Sequence, residues 1–129
     1  MTHAVGDKLT PFVVEEVSTE GMKDWAVFLA DPNPIHLDVE VVKAKGLGDK
    51  VINQGPINVA YMINMLMQNF PSAQIKTMDS RFLDNVYGGD KAVASGEITA
   101  VDGNEISCSF TLDVDGRGTV NSGTATVVI

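Results

Sequence analysis

Gln54-Gly-Pro-Ile-Asn-Val-Ala-Tyr-Met-Ile-Asn-Met-Leu-Met-Gln-Asn-Phe-Pro71 is apolar almost all round from Ile57 to Phe70. A helix of that kind is buried rather than laid on a surface. Pro56 suits its first turn, where a missing N–H costs nothing, and Pro71 ends it. Its interruptions Asn58, Asn64 and Gln68 are expected to hydrogen-bond along one side, while Met62, Met65 and Met67 supply adaptable packing.

Outward from this helix the pattern changes period. Before it, Phe12–Val17 alternates as a strand. Ser18 or Thr19 then caps a helix over about Gly21–Ala30, in which Met22, Trp25, Ala26 and Leu29 form a stripe that faces the core. Asp38 caps a short helix, Val39–Lys45, that stops at Gly46. After the long helix come strand candidates Gln74–Asp79, Arg81–Val86, Lys91–Val101, Glu105–Val114 and Gly118–Ile129. Asp102-Gly103 and Asp115-Gly116 between alternating runs are hairpin signals. One strand, then helices, then an antiparallel meander reads as α+β, with helices on one face of a sheet. The 129 residues suit a single domain over 1–129, with no internal repeat.

Nine basic against seventeen acidic residues give a net charge of −8, which opposes binding to nucleic acid or an anionic membrane. Apolar runs fall short of the ~20 residues of a membrane span, and the N-terminus lacks the pattern of a signal peptide, so a cytoplasmic location is expected. Cys108 alternates with small and apolar neighbours and reads as a strand residue rather than a nucleophile. Lys43, Lys45 and Lys50 form the densest basic cluster and read as solvated charges at a helix end. Two histidines, with His3 at the terminus, make no clustered metal-ligand set, and no dinucleotide fingerprint is present, so neither metal nor cofactor is expected.

The chemistry concentrates in Asp31-Pro-Asn-Pro-Ile-His36. Each proline fixes its own φ and pushes the preceding residue, Asp31 or Asn33, toward extended backbone. The loop is therefore stiff, and a carboxylate and an imidazole five residues apart are placed to share one water. Asp31 and His36 are the candidate acid/base pair. Asn33 fits a loop-fixing role or a substrate contact. Gly55, at the start of the long helix, has a backbone N–H suited to a developing oxyanion and lets a ligand come close.

Asp31-Pro-Asn-Pro-Ile-His36 resembles the Asp-x-Asn-Pro-x-His signature of the MaoC-like hot-dog hydratases, the (R)-specific enoyl-CoA hydratases and 3-hydroxyacyl dehydratases. Gln54-Gly55 before an apolar helix, Arg81-Phe82 through Val86-Tyr87-Gly88-Gly89-Asp90, and Gly123-Thr124-Ala125 resemble further segments of that family. The resemblance implies a hot-dog fold, a curved antiparallel sheet wrapped around the long helix. It implies a hydro-lyase that adds water to a trans-2-enoyl-CoA or runs the reverse dehydration, with Asp31 and His36 catalytic, Gly55 as oxyanion donor and no cofactor. Two departures stand out: many members have His-Gly where this chain has Gln54-Gly55, and some have serine where Ala60 falls. The Gly-Pro-Ile-Asn-Val-Ala-Tyr segment is similar to small family subunits that handle bulky, steroid-type acyl-CoA. The expected partners are an acyl-CoA substrate and a second hot-dog chain, as homodimer or heteromer. The alternatives are a subunit active only with a partner chain, and an acyl-CoA thioesterase.

Overall fold

A computed structural model describes residues 3–129. In chain order the elements are β1 (Phe12–Val14), α1 (Thr19–Phe28), a 3-10 turn (Pro34–His36), α2 (Val39–Ala44), α3 (Gly55–Asn69), β2 (Gln74–Phe82), β3 (Ala92–Asp102), β4 (Glu105–Val114) and β5 (Gly118–Val128). The five strands form one antiparallel sheet in the order β1-β3-β4-β5-β2. Met62, Met65 and Leu66 of α3 and Ile106, Cys108, Phe110 and Leu112 of β4 are buried in one core, so the sheet curves around α3 as the family resemblance implied. Burial pushes the Cys108 thiol up to about 11, in keeping with a strand residue that packs rather than reacts. Among the described residues no helix is long and apolar enough to cross a membrane.

Local chemistry explains most boundaries. The Ser18 side chain accepts from the Gly21 N–H at 2.9 Å and starts α1; Asp38 accepts from the Glu40 N–H at 2.9 Å and starts α2. Gly103 and Gly116 take positive φ in the two hairpins.

Five expectations need correction. The first strand ends at Val14 rather than Val17, although Val17 is buried. Gln74–Asp79 and Arg81–Val86 are not two strands: Ser80 pairs with Gly123, and one strand runs through to Phe82. The polar Ser80 resembled a break, but the partner strand supplies its ladder. Of the α1 stripe only Met22 is fully buried. On α3, Asn64 and Gln68 face solvent, so the helix has an exposed side and is not enclosed all round. His3, expected at a loose terminus, lies with its ring centroid 5.3 Å from that of Phe70, at the far end of α3 from the Asp31–His36 loop.

Two inner-face rows run across the sheet. Ser80, Gly123, Phe110 and Gly96 lie opposite one another in the first; Phe82, Asn121, Leu112 and Ala94 in the second. Gly96 and Gly123 sit where a Cβ would collide with the neighbouring strand. A Cβ at Gly123 would overlap the Asp79 carbonyl oxygen and the Phe110 ring.

Candidate active site

Asp31 is delivered by the end of α1. The Asp31 N–H donates to the Ala26 carbonyl at 2.9 Å and the Ala30 N–H to the Val27 carbonyl at 3.2 Å, while Ala30 takes φ +50°. This pair of bonds closes a helix through a left-handed residue. Glycine is the usual residue at such a position, and alanine carries no sequence signal for it. The expected helix therefore ran to Ala30, two residues too far.

Beyond that turn the loop is held by its own side chains. One Asp31 carboxylate oxygen accepts from the Asn33 N–H at 3.2 Å, and the Asn33 oxygen accepts from the Ile35 N–H at 3.3 Å. Asn33 has φ −57° and ψ 118°, off the helical region as a residue before proline should be, and it caps the turn Pro34–His36. The Asn33 side chain thus fixes the loop.

The turn brings the ring of His36 against Asp31. His36 Nε2 stands 3.4 Å from Asp31 Oδ2, the ring side chain 9% exposed and the carboxylate 36%. On its other side, Nδ1 is 2.6 Å from the carbonyl oxygen of Ile52. A carbonyl only accepts, so Nδ1 carries a hydrogen, and in the neutral ring Nε2 presents its lone pair beside the carboxylate. Two acceptors that converge in this way suit a water that donates one hydrogen to each.

Ile52 is itself fixed: its N–H donates to the Ile35 carbonyl at 2.9 Å, and the Asn53 N–H donates to the Val86 carbonyl at 2.7 Å. The loop that supplies Val86 is clasped by Arg117. Its guanidinium reaches Asp84 at 3.2 Å, the Asn85 carbonyl at 2.9 Å and Asp90 at 2.6 Å, and lies 5.0 Å from the centre of the Tyr87 ring. Sequence reading did not single out Arg117, whose partners lie some thirty residues away and have no local spacing to betray them.

Gly55 opens α3, two residues after Asn53 and three after the carbonyl that holds His36, a path of at most about 10 Å. As the first residue of a helix it has an N–H with no partner inside the helix. A Cβ at this position would stand 3.2 Å from the Phe82 ring. Around it is a buried polar cluster that sequence reading only touched. Asn53 Nδ2 donates to Asn58 Oδ1 at 2.9 Å and to the Tyr61 hydroxyl at 3.3 Å. Burial raises the Tyr61 pKa above its ordinary value, and the hydrogen bond from Asn53 offsets part of the rise. Gln54 donates from Nε2 to the Met22 carbonyl at 2.8 Å and so ties α3 to α1. His36 and Lys50 also share a surface cleft of about 380 Å³, with Thr19 and Lys23 on its wall. Lys43 makes only an exposed pair with Glu40 at 3.6 Å, as expected of a solvated helix-end charge.

Residues 2–115 match the family model described as MaoC like domain. The chain belongs to the MaoC-like family. Among solved structures, this MaoC-like chain is similar to an (R)-hydratase from A. caviae involved in PHA biosynthesis, with a TM-score of 0.90 at 20% identity over 99% of this chain and 98% of that one. It is similar to the ChsH1-ChsH2 complex from Mycobacterium tuberculosis, with a TM-score of 0.88 at 20% identity over 99% of each chain. A variant of the fluoroacetyl-CoA-specific thioesterase FlK aligns with a TM-score of 0.72 at 12% identity over 99% of this chain and 88% of that one. At these identities the likeness is one of fold, and the fold is the hot-dog. A comparison with curated proteins finds no match.

Proposed function

We propose that this chain is a hydro-lyase acting on acyl thioesters, adding water to a trans-2-enoyl-CoA to give a (R)-3-hydroxyacyl-CoA or running the reverse dehydration. The observation that carries the proposal is the 3.4 Å approach of His36 Nε2 to Asp31 Oδ2 in a ring whose other nitrogen is committed to the Ile52 carbonyl. The pair grips one water and takes a proton from it as its oxygen bonds to the β-carbon. Electron density moves to the thioester oxygen, and the α-carbon then receives a proton, so the sum is one water added. Gly55 donates its N–H to that oxygen, aided by the positive end of the 15-residue α3 dipole. Asn33 keeps Asp31 and His36 on a common turn. General acid/base action of this kind is worth about 10²–10⁴-fold.

A second chain belongs to this reading. β2, nine residues long, lies at an edge of the sheet with one side of its backbone unpaired, whereas the other edge strand, β1, has three residues. A long free edge is a template for pairing with another strand, and a second hot-dog chain supplies one. The test is incubation of the purified protein with short, long and steroid-type trans-2-enoyl-CoA, with products identified by mass and chirality. A mass gain of one water with retained thioester is the expected result. Release of free thiol would instead make it a thioesterase, and activity only after a partner chain is added would make it a dependent subunit.

A further inference from the structure

The row Phe82, Asn121, Leu112, Ala94 is apolar except for Asn121. Asn121 is 0% exposed, and among the described residues neither its Nδ2 nor its Oδ1 has a hydrogen-bond partner. A buried amide left unpaired in this way costs stability, on the order of 1–3 kcal/mol per group, and calls for an occupant. A diagonal neighbour repeats the pattern. Ser80 stands one row away on the same inner face, and its buried Oγ is likewise without a partner. Both flank Phe82, which is 55% exposed and packs its ring against Gly55, so this spot connects the surface to the start of α3.

We infer that Asn121, with Ser80 beside it, is a specificity-determining point that reads an oxygen function, a ketone or hydroxyl, on the acyl part of the thioester away from the reacting carbons. This rests on the proposed thioester site at Asp31, His36 and Gly55. An amide supplies both a donor and an acceptor, and a hydroxyl supplies either, so the pair suits an oxygen substituent and disfavours a plain alkyl chain that would leave both unpaired.

The test measures binding, separately from turnover, of decanoyl-CoA and of a series of analogues each with one keto oxygen at a different carbon. At least one keto analogue is expected to bind the wild-type protein about tenfold tighter than decanoyl-CoA. Asn121→Leu, similar in size and compatible with Leu112 and Phe82, should erase that preference and leave decanoyl-CoA bound equally well or better. A wild-type protein that favours no keto analogue overturns the inference, with no variant needed. So does an Asn121→Leu protein that keeps the preference, which would mean that the amide holds only an internal water. Hydration of enoyl-CoA without discrimination defeats this inference alone, whereas discrimination without hydration defeats the assigned reaction and leaves the reading site standing.

Discussion

The two ends of α3 are built from different chemistry. Its first turns are crowded with buried or half-buried polar groups, Asn53, Gln54, Asn58 and Tyr61, bonded to one another or to neighbouring backbone. Its last turns bury Met62, Met65, Leu66 and Phe70 in the hydrophobic core, with half-buried Asn69 at their flank tied to the Thr10 backbone. Burying amides is costly unless each is paired, so a helix selected for stability alone would look like its C-terminal end throughout. The polar end is where His36, Asp31 and Gly55 gather. Hydrophobic packing and the proposed chemistry thus fall at opposite ends of a single helix.

The sharpest way to break that comparison is to substitute at each end and measure both properties. His36→Ala and Asp31→Asn should each cut hydration by at least about 10²-fold; the thermal midpoint stays nearly unchanged in Asp31→Asn and falls modestly in His36→Ala, which leaves the Ile52 carbonyl unpaired, read by enoyl-CoA kinetics alongside a melt. Leu66→Ala should do the reverse, costing about 2–5 kcal/mol in urea unfolding while kcat is retained. Loss of catalysis in that variant would show that the two ends are coupled.

Smaller effects sharpen the picture. Asn53→Ala leaves Asn58 Oδ1 and the Tyr61 hydroxyl without their donor and should cost about 1–3 kcal/mol. Because that hydrogen bond lowers the Tyr61 pKa, its removal should drive the tyrosine titration still higher, measurable by the absorbance of tyrosinate. Ala30→Gly should be the mildest change, a gain of up to about 1 kcal/mol in unfolding free energy, since glycine takes φ +50° without strain. A loss there would mean that Ala30 has contacts that matter more than its backbone.

Much of this was legible in the residues. Pro56 and Pro71 bounded the long helix, the Asp-Gly pairs marked both hairpins, and the prolines of the Asp31–His36 loop announced a rigid turn. What stayed hidden was long-range. Nothing beside Arg117 in the chain hints that it will bridge Asp84 and Asp90, because that arrangement depends on the β4–β5 hairpin meeting the connection between β2 and β3. Ser80 read as a gap between strands because its pairing partner, Gly123, lies far along the chain. Asn121 sat in an alternating strand like any surface amide, and only the register across β2, β5 and β4 turns it inward. The pairing of Asp31 with His36 could be anticipated from spacing, but the anchoring of the ring to Ile52 could not, since it joins segments on either side of α2.

Gly123 carries a consequence of its own. With a hydrogen where a side chain would begin, it lets β2 lie so close that the smallest side-chain addition would push that edge outward. Ser80 and Phe82 ride on that edge. A methyl added at this one point of the last strand would therefore displace the edge that carries the Phe82 ring, and with it the packing against Gly55 at the start of α3.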